Sequence, residues 1–154
     1  MSKLKNAIKW FKSQLSSIKD SKVHKPTIGA IHSFVYDPKH KKTLPVYDKF
    51  PLVIPFSIDK GSFKGINLHY LPLRGRMELL QSLDKISKIK NDKKRFILNY
   101  QVLQRVAKSK LYGPTIHMYL NPHVRSAFKV IELEKDFSNI IHLPQADWKG
   151  KRPY

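Results

Sequence analysis

A chain of 154 residues with 30 lysines and arginines against 11 aspartates and glutamates, a net charge of +19, repels itself unless something anionic is near. At 41 % hydrophobic and 11 % aromatic it is too apolar for a charged disordered tail, and its length fits one domain with a core of ordinary size. The absence of cysteine excludes disulfides, thiolate zinc sites and cysteine nucleophiles. No apolar run approaches the roughly 18 to 20 residues that span a bilayer, and no continuous apolar signal core opens the chain, which predicts a soluble, unprocessed protein without a membrane span.

In the first 25 residues Leu4, Ile8, Phe11, Leu15 and Ile18 recur at three- and four-residue steps, with Lys3, Lys5, Lys9, Lys12 and Lys19 falling largely elsewhere. That spacing predicts a basic amphipathic helix with Ser2 as its N-cap, docked on its own domain or on a partner. After the polar linker at 21–26, residues 28–36 and 52–56 are short, rich in β-branched and aromatic side chains, and bounded by proline, as strands are. Asp59, Lys60 and Gly61 then make a tight turn into a third strand carrying Phe63, Ile66, Leu68 and Tyr70, ended by Pro72.

From Arg74 the period becomes helical, with Leu79, Leu80, Leu83 and Ile86 on one face. A second helix starts at an Asn91 or Asp92 cap, places Phe96, Tyr100, Leu103 and Ala107 on one stripe and stops at Gly113-Pro114. Residues 115–120 read as a short helix broken at Asn121-Pro122, residues 128–133 as a strand returning to the sheet, and the last residues as an extended tail. The expected fold class is α+β: a small antiparallel, partly closed, barrel-like β-sheet packed by two to three helices, plus the N-terminal amphipathic helix. The expected organisation is that helix at 1–25, a single domain at 27–148 and a tail at 149–154.

Little of the sequence points to catalysis. A metal-dependent nuclease needs clustered carboxylates; the one spacing that offers them is Asp20 with Asp37-Pro38-Lys39, and Asp-Pro is an ordinary turn opener. Glu132, Glu134 and Asp136 form the densest acidic run, and strand alternation puts Glu132 and Glu134 on one solvent face. None of the seven histidines pairs with another and a glutamate at zinc-peptidase spacing, and His69 reads as a core or hydrogen-bonding residue. No metal and no cofactor is expected.

Positive charge with aromatics remains. Lys39, Lys41, Lys42, Arg74, Arg76, Lys93, Lys94, Arg95 and Arg125 come from separate segments and form a phosphate-binding surface if the fold gathers them on one face. The Asp37–Phe50 stretch reads as a proline-stiffened connection with Lys39, Lys41 and Lys42 exposed and Tyr47, Phe50 and Leu52 anchoring it, Asp48 capping or pairing locally.

Two long motifs carry a resemblance. Tyr36, Asp37, Lys39, Leu44, Pro45, Tyr47, Asp48, Phe50, Pro51 and Leu52 are followed by Gly65, Asn67, His69, Tyr70, Leu71, Pro72 and Arg76; Tyr119, Leu120, His123, Val124, Arg125, Ser126 and Phe128 extend the likeness. Over roughly residues 27 to 148 the chain resembles a family of small virion proteins of contractile-tailed bacteriophages, the DNA end protectors. The N-terminal helix lies outside that pattern. The resemblance implies a non-enzymatic virion protein at the head-tail region, bound to the packaged double-stranded DNA end, shielding it from host exonuclease and touching portal or neck components. Set against it are a structural neck, tail or baseplate protein whose basic surface meets proteins, a small metal-dependent nuclease, and an RNA-binding protein.

Overall fold

The computed structural model describes residues 2–37, 48–110 and 115–144. Helix α1 (Lys3–Ser17) starts at Ser2, whose hydroxyl accepts from Lys5 N at 3.1 Å, and passes into a 3-10 turn at Ile18–Asp20. Ala7, Phe11 and Ile18 are buried, whereas Leu4, first in the expected stripe, stays exposed. The helix reaches the core only from its second turn.

Five antiparallel strands form one sheet: β1 (Ile31–Ser33), β2 (Leu52–Ile58), β3 (Ser62–Asn67), β4 (Ile116–Leu120) and β5 (Lys129–Ile131), in the order β4-β3-β2-β1-β5. The β2–β3 hairpin closes where Asp59 N donates to Ser62 O at 2.8 Å, at the expected turn. Pro55 sits in a central strand, where it removes a ladder donor; the register shift between Pro55 and Ser57 accommodates it. Pro55 O in turn accepts from Gly29 N at 3.0 Å, and Gly29 has φ +86°, a left-handed conformation that favours glycine. Opposite Pro55 lies Gly65, where a Cβ would stand 2.3 Å from Val53 Cγ1 and 2.9 Å from Ile54 O.

The ladder has two edges, β4 and β5, so the sheet is open rather than barrel-like. The chain between them nevertheless brackets one end. After a 3-10 turn at Asn121–His123, Val124 bridges Tyr36, Arg125 N donates to Val35 O at 2.8 Å, and Val35 N donates to Ser126 Oγ at 2.8 Å. Beneath this crossing Phe34, Tyr36, Phe63, Tyr119 and Phe128 form an aromatic cluster with edge-on and stacked contacts.

A larger core joins the sheet to the helices through Phe11, Leu52, Ile54, Ile66, Leu80, Leu103 and Ile140. It packs α2 (Leu73–Ser87) on α3 (Asp92–Lys108) and on α4 (Leu133–Ile141), and α4 on α1. Asn91 caps α3 through Oδ1, which accepts from Lys94 N at 2.9 Å.

Two expected elements change type. Residues 115–120 were expected to be helical, but a five-residue run with β-branched and aromatic members pairs with β3 in full register and becomes β4. The acidic run was expected in a strand, yet β5 stops at Ile131 and Glu132 is the N-cap of α4, with Glu134 and Asp136 in its first turn. Carboxylates there face the positive end of the helix dipole. Leu133, Phe137, Ile140 and Ile141 supply the helical period that turns inward.

Candidate nucleic-acid interface

The histidine of the second motif lies at the centre of a buried polar network. Asp48 enters it from the end of the 38–47 segment: its Oδ1 accepts from Phe50 N at 2.9 Å, the local cap expected of it, while Oδ2 accepts from His69 Nδ1 at 2.7 Å and from Asn67 Nδ2 at 3.0 Å. Asn67 Oδ1 accepts from His69 N at 2.9 Å, and its amide nitrogen also reaches the Tyr119 hydroxyl at 3.2 Å. Burial, followed by the nearby Asp48 charge, pushes the Tyr119 phenol well above its ordinary range; burial lowers His117 beside it.

An aspartate and a histidine in contact can orient a catalytic imidazole. Here Asp48, Asn67, His69 and Tyr119 are all buried, and the Phe11 ring meets the imidazole edge-on at 4.8 Å. The geometry suits a tie between the chain end at Asp48, the β3 turn and β4. Its counterpart at the other end of that segment is Tyr36, whose N donates to Lys49 O at 2.9 Å and whose hydroxyl accepts from Leu120 N at 2.8 Å. Both ends of the segment carrying Lys39, Lys41 and Lys42 are therefore fixed to the sheet, while those lysines and Tyr47 lie outside the described residues.

The remaining expected phosphate contacts separate into different environments. Arg74, at the start of α2, is fully in solvent and pairs loosely with Glu78 at 3.5 Å. Lys93 and Lys94 are exposed in the first turn of α3. Arg95 spans Asp92 and Ile89 O, the latter at 2.8 Å, bracing the α2–α3 turn. Arg125 donates to Pro122 O at 2.8 Å and faces the Asp37 carboxylate at 3.6 Å.

Arg76 requires a correction. It is the largest fully buried side chain, and its guanidinium donates to Ile140 O at 2.9 Å, Leu143 O at 2.5 Å and Leu71 O at 3.0 Å. It satisfies carbonyls at the C-terminal end of α4 and after the β3 turn, so it meets no phosphate. Its position one turn before Leu79 and Leu80 placed it on the inward face of α2, and that is the signal the basic Arg-Gly-Arg run concealed.

Sequence reasoning also missed the surface of α3. Phe96 and Tyr100 were expected on the core stripe but are 53 % and 42 % exposed, and Ile97 between them is 44 % exposed. The stripe meets the core only from Leu103, so the N-terminal turns of α3 overhang it. Asp37 is taken up by Arg125, and among the described residues no group of three or more histidines and carboxylates could hold a metal ion. No described helix is long and apolar enough to cross a membrane.

Compared with known proteins, the chain matches nothing among curated proteins or solved structures. Residues 1–153 do match a family model, and the match takes in α1, which the motif resemblance left out. The chain belongs to the family described as phage T4 terminal DNA protecting protein.

Proposed function

We propose that this member of the terminal DNA protecting family is a non-enzymatic virion protein that occupies the end of packaged double-stranded DNA near the head-tail junction and sterically closes it to host exonuclease. The family match across the whole folded body carries the reading. The charge supports it: at +19 the protein has the excess needed to face a dense array of phosphates, and binding releases counterions. The contacts we assign are Arg74, Lys93, Lys94, Arg95 and Arg125, together with Lys39, Lys41 and Lys42, which lie outside the described residues. Arg76 is excluded by its burial.

Such contacts position the protein and carry no base sequence information, which suits an end that must be covered whatever its sequence. Portal or neck proteins are the expected neighbours at that location.

The test is a salt-titrated comparison of linear duplexes with open ends and the same duplexes closed by hairpins. Tighter binding to open ends with a steep salt dependence supports the reading. Equal, weak binding to both moves the assignment to a structural neck, tail or baseplate component whose basic surface meets protein. Cleavage dependent on magnesium or manganese and lost in Asp37→Ala would make it a nuclease instead.

A further inference from the structure

The overhanging end of α3 combines two features that core packing does not use. Phe96 and Tyr100 stand one turn apart with Ile97 between them, all exposed, so the apolar stripe of the helix continues beyond the body that buries Leu103. Lys93 and Lys94 precede them by one turn, and the same outer face runs on from Tyr100 through a shallow groove with Gln104, Arg105 and Lys108. The single acidic side chain of α3, Asp92, is taken up by Arg95. An apolar, partly aromatic patch is thus bordered by the cations Lys93 and Lys94 at one end and Arg105 and Lys108 at the other.

We propose that Phe96 and Tyr100 stack on the terminal base pair of a duplex end while Lys93 and Lys94 hold the adjoining phosphates. This deepens, and rests on, the end-protecting reading. The argument is one of complementary shape and charge. Along its sides a duplex offers phosphates and groove edges; only at an open end does it offer a flat π-face ringed by phosphates. Aromatic stacking on bases is sequence-tolerant because every base has such a face, and the flanking lysines disfavour a basic partner protein. The patch lies outside the core, so its removal leaves the fold's packing in place.

The experiment uses the full chain and a duplex with 2-aminopurine at its terminal or at an internal position, together with a hairpin-closed control. Wild-type protein is expected to change the fluorescence of the terminal probe and leave the internal probe unaltered. In Phe96→Ala with Tyr100→Ala the terminal signal is lost and affinity for open ends falls roughly tenfold or more, while binding to hairpin-closed duplex is unchanged. A wild-type preference for open ends that survives in the double variant overturns the stacking proposal and leaves end protection standing. If wild-type protein shows no preference for open ends, the end-protecting reading fails and the stacking proposal with it. Self-association of the wild type that the double variant abolishes, with end affinity unchanged, assigns the patch to a second copy of the chain and also overturns stacking. Circular dichroism and thermal unfolding of the double variant confirm that the fold persists.

Discussion

Asp48 and His69 meet at 2.7 Å across 21 residues of chain, with the ring of Phe11 lying edge-on against the imidazole. Three distant segments therefore share one buried contact: Asp48 ahead of β2, the turn after β3, and α1. In Asp48→Ala the His69 Nδ1–H and the Asn67 amide lose their common acceptor inside the core. A loss of about 2 to 4 kcal/mol in urea unfolding is expected, with a smaller loss in Asp48→Asn, which keeps one acceptor. A change below about 0.5 kcal/mol in Asp48→Ala would show that the network does not hold the fold.

Arg76 allows structure and DNA binding to be separated. Arg76→Met leaves the carbonyls of Leu71, Ile140 and Leu143 without this donor, and an expected loss of about 3 kcal/mol or more follows. Arg76→Lys does not restore it, because an ammonium lacks the planar fork that reaches three carbonyls at once. Whatever fraction stays folded should bind duplex DNA with an unchanged salt slope. By contrast, Lys93→Gln with Lys94→Gln should leave stability within about 0.5 kcal/mol and reduce that slope by roughly two.

The helices α2 and α3, the hairpin β2–β3 and the neighbouring β1 were legible because each has a strong local signal: a 3.6-residue apolar period, an Asn91 cap, or a tight turn at Asp59–Gly61. Local signal failed where tertiary partners decide. The β4 run adopts its state because β3 offers a ladder, and residues 132–136 were read by strand alternation although Leu133, Phe137, Ile140 and Ile141 carry a helical period. Charge reading likewise could not tell Arg74 from Arg76. Two residues apart on α2, they point to opposite sides, one into solvent and the other into a cage of carbonyls. Exposure of Phe96 was not legible, since nothing local says where the body beneath a helix ends.

Gly65 tests the close approach of β2 and β3. A methyl group there meets Val53 Cγ1, which can move, and Ile54 O, which is backbone and cannot move without disturbing the hairpin. Gly65→Ala is expected to cost about 1 to 3 kcal/mol. Adding Val53→Ala should not recover the full loss, because the carbonyl contact remains.

His32 makes stability depend on pH. It is fully buried; Nδ1–H donates to Ala30 O at 2.9 Å and Nε2 accepts from Thr27 N–H at 3.1 Å, an arrangement that requires the neutral ring. Burial, partly offset by hydrogen bonding to backbone, lowers its pKa from 6.5 to about 4. The unfolded chain binds this proton first, so the contribution is complete above about pH 6.5 and is lost as pH falls toward 4, amounting to about 3 kcal/mol. His117, lowered by its own burial, adds in the same direction. Urea unfolding between pH 7 and pH 4 should show this loss, and His32→Gln should flatten it.

The central claim is that this protein closes duplex ends sterically. The most direct measurement is digestion of a linear duplex by a double-strand-specific exonuclease, with the protein added in stoichiometric amounts to ends and a closed circle exposed to an endonuclease as control. We expect the linear DNA to survive while bound, degradation to return as salt strips the protein off, and endonuclease cutting of the circle to proceed unaltered. Digestion of the linear DNA at the same rate with and without bound protein would contradict the account.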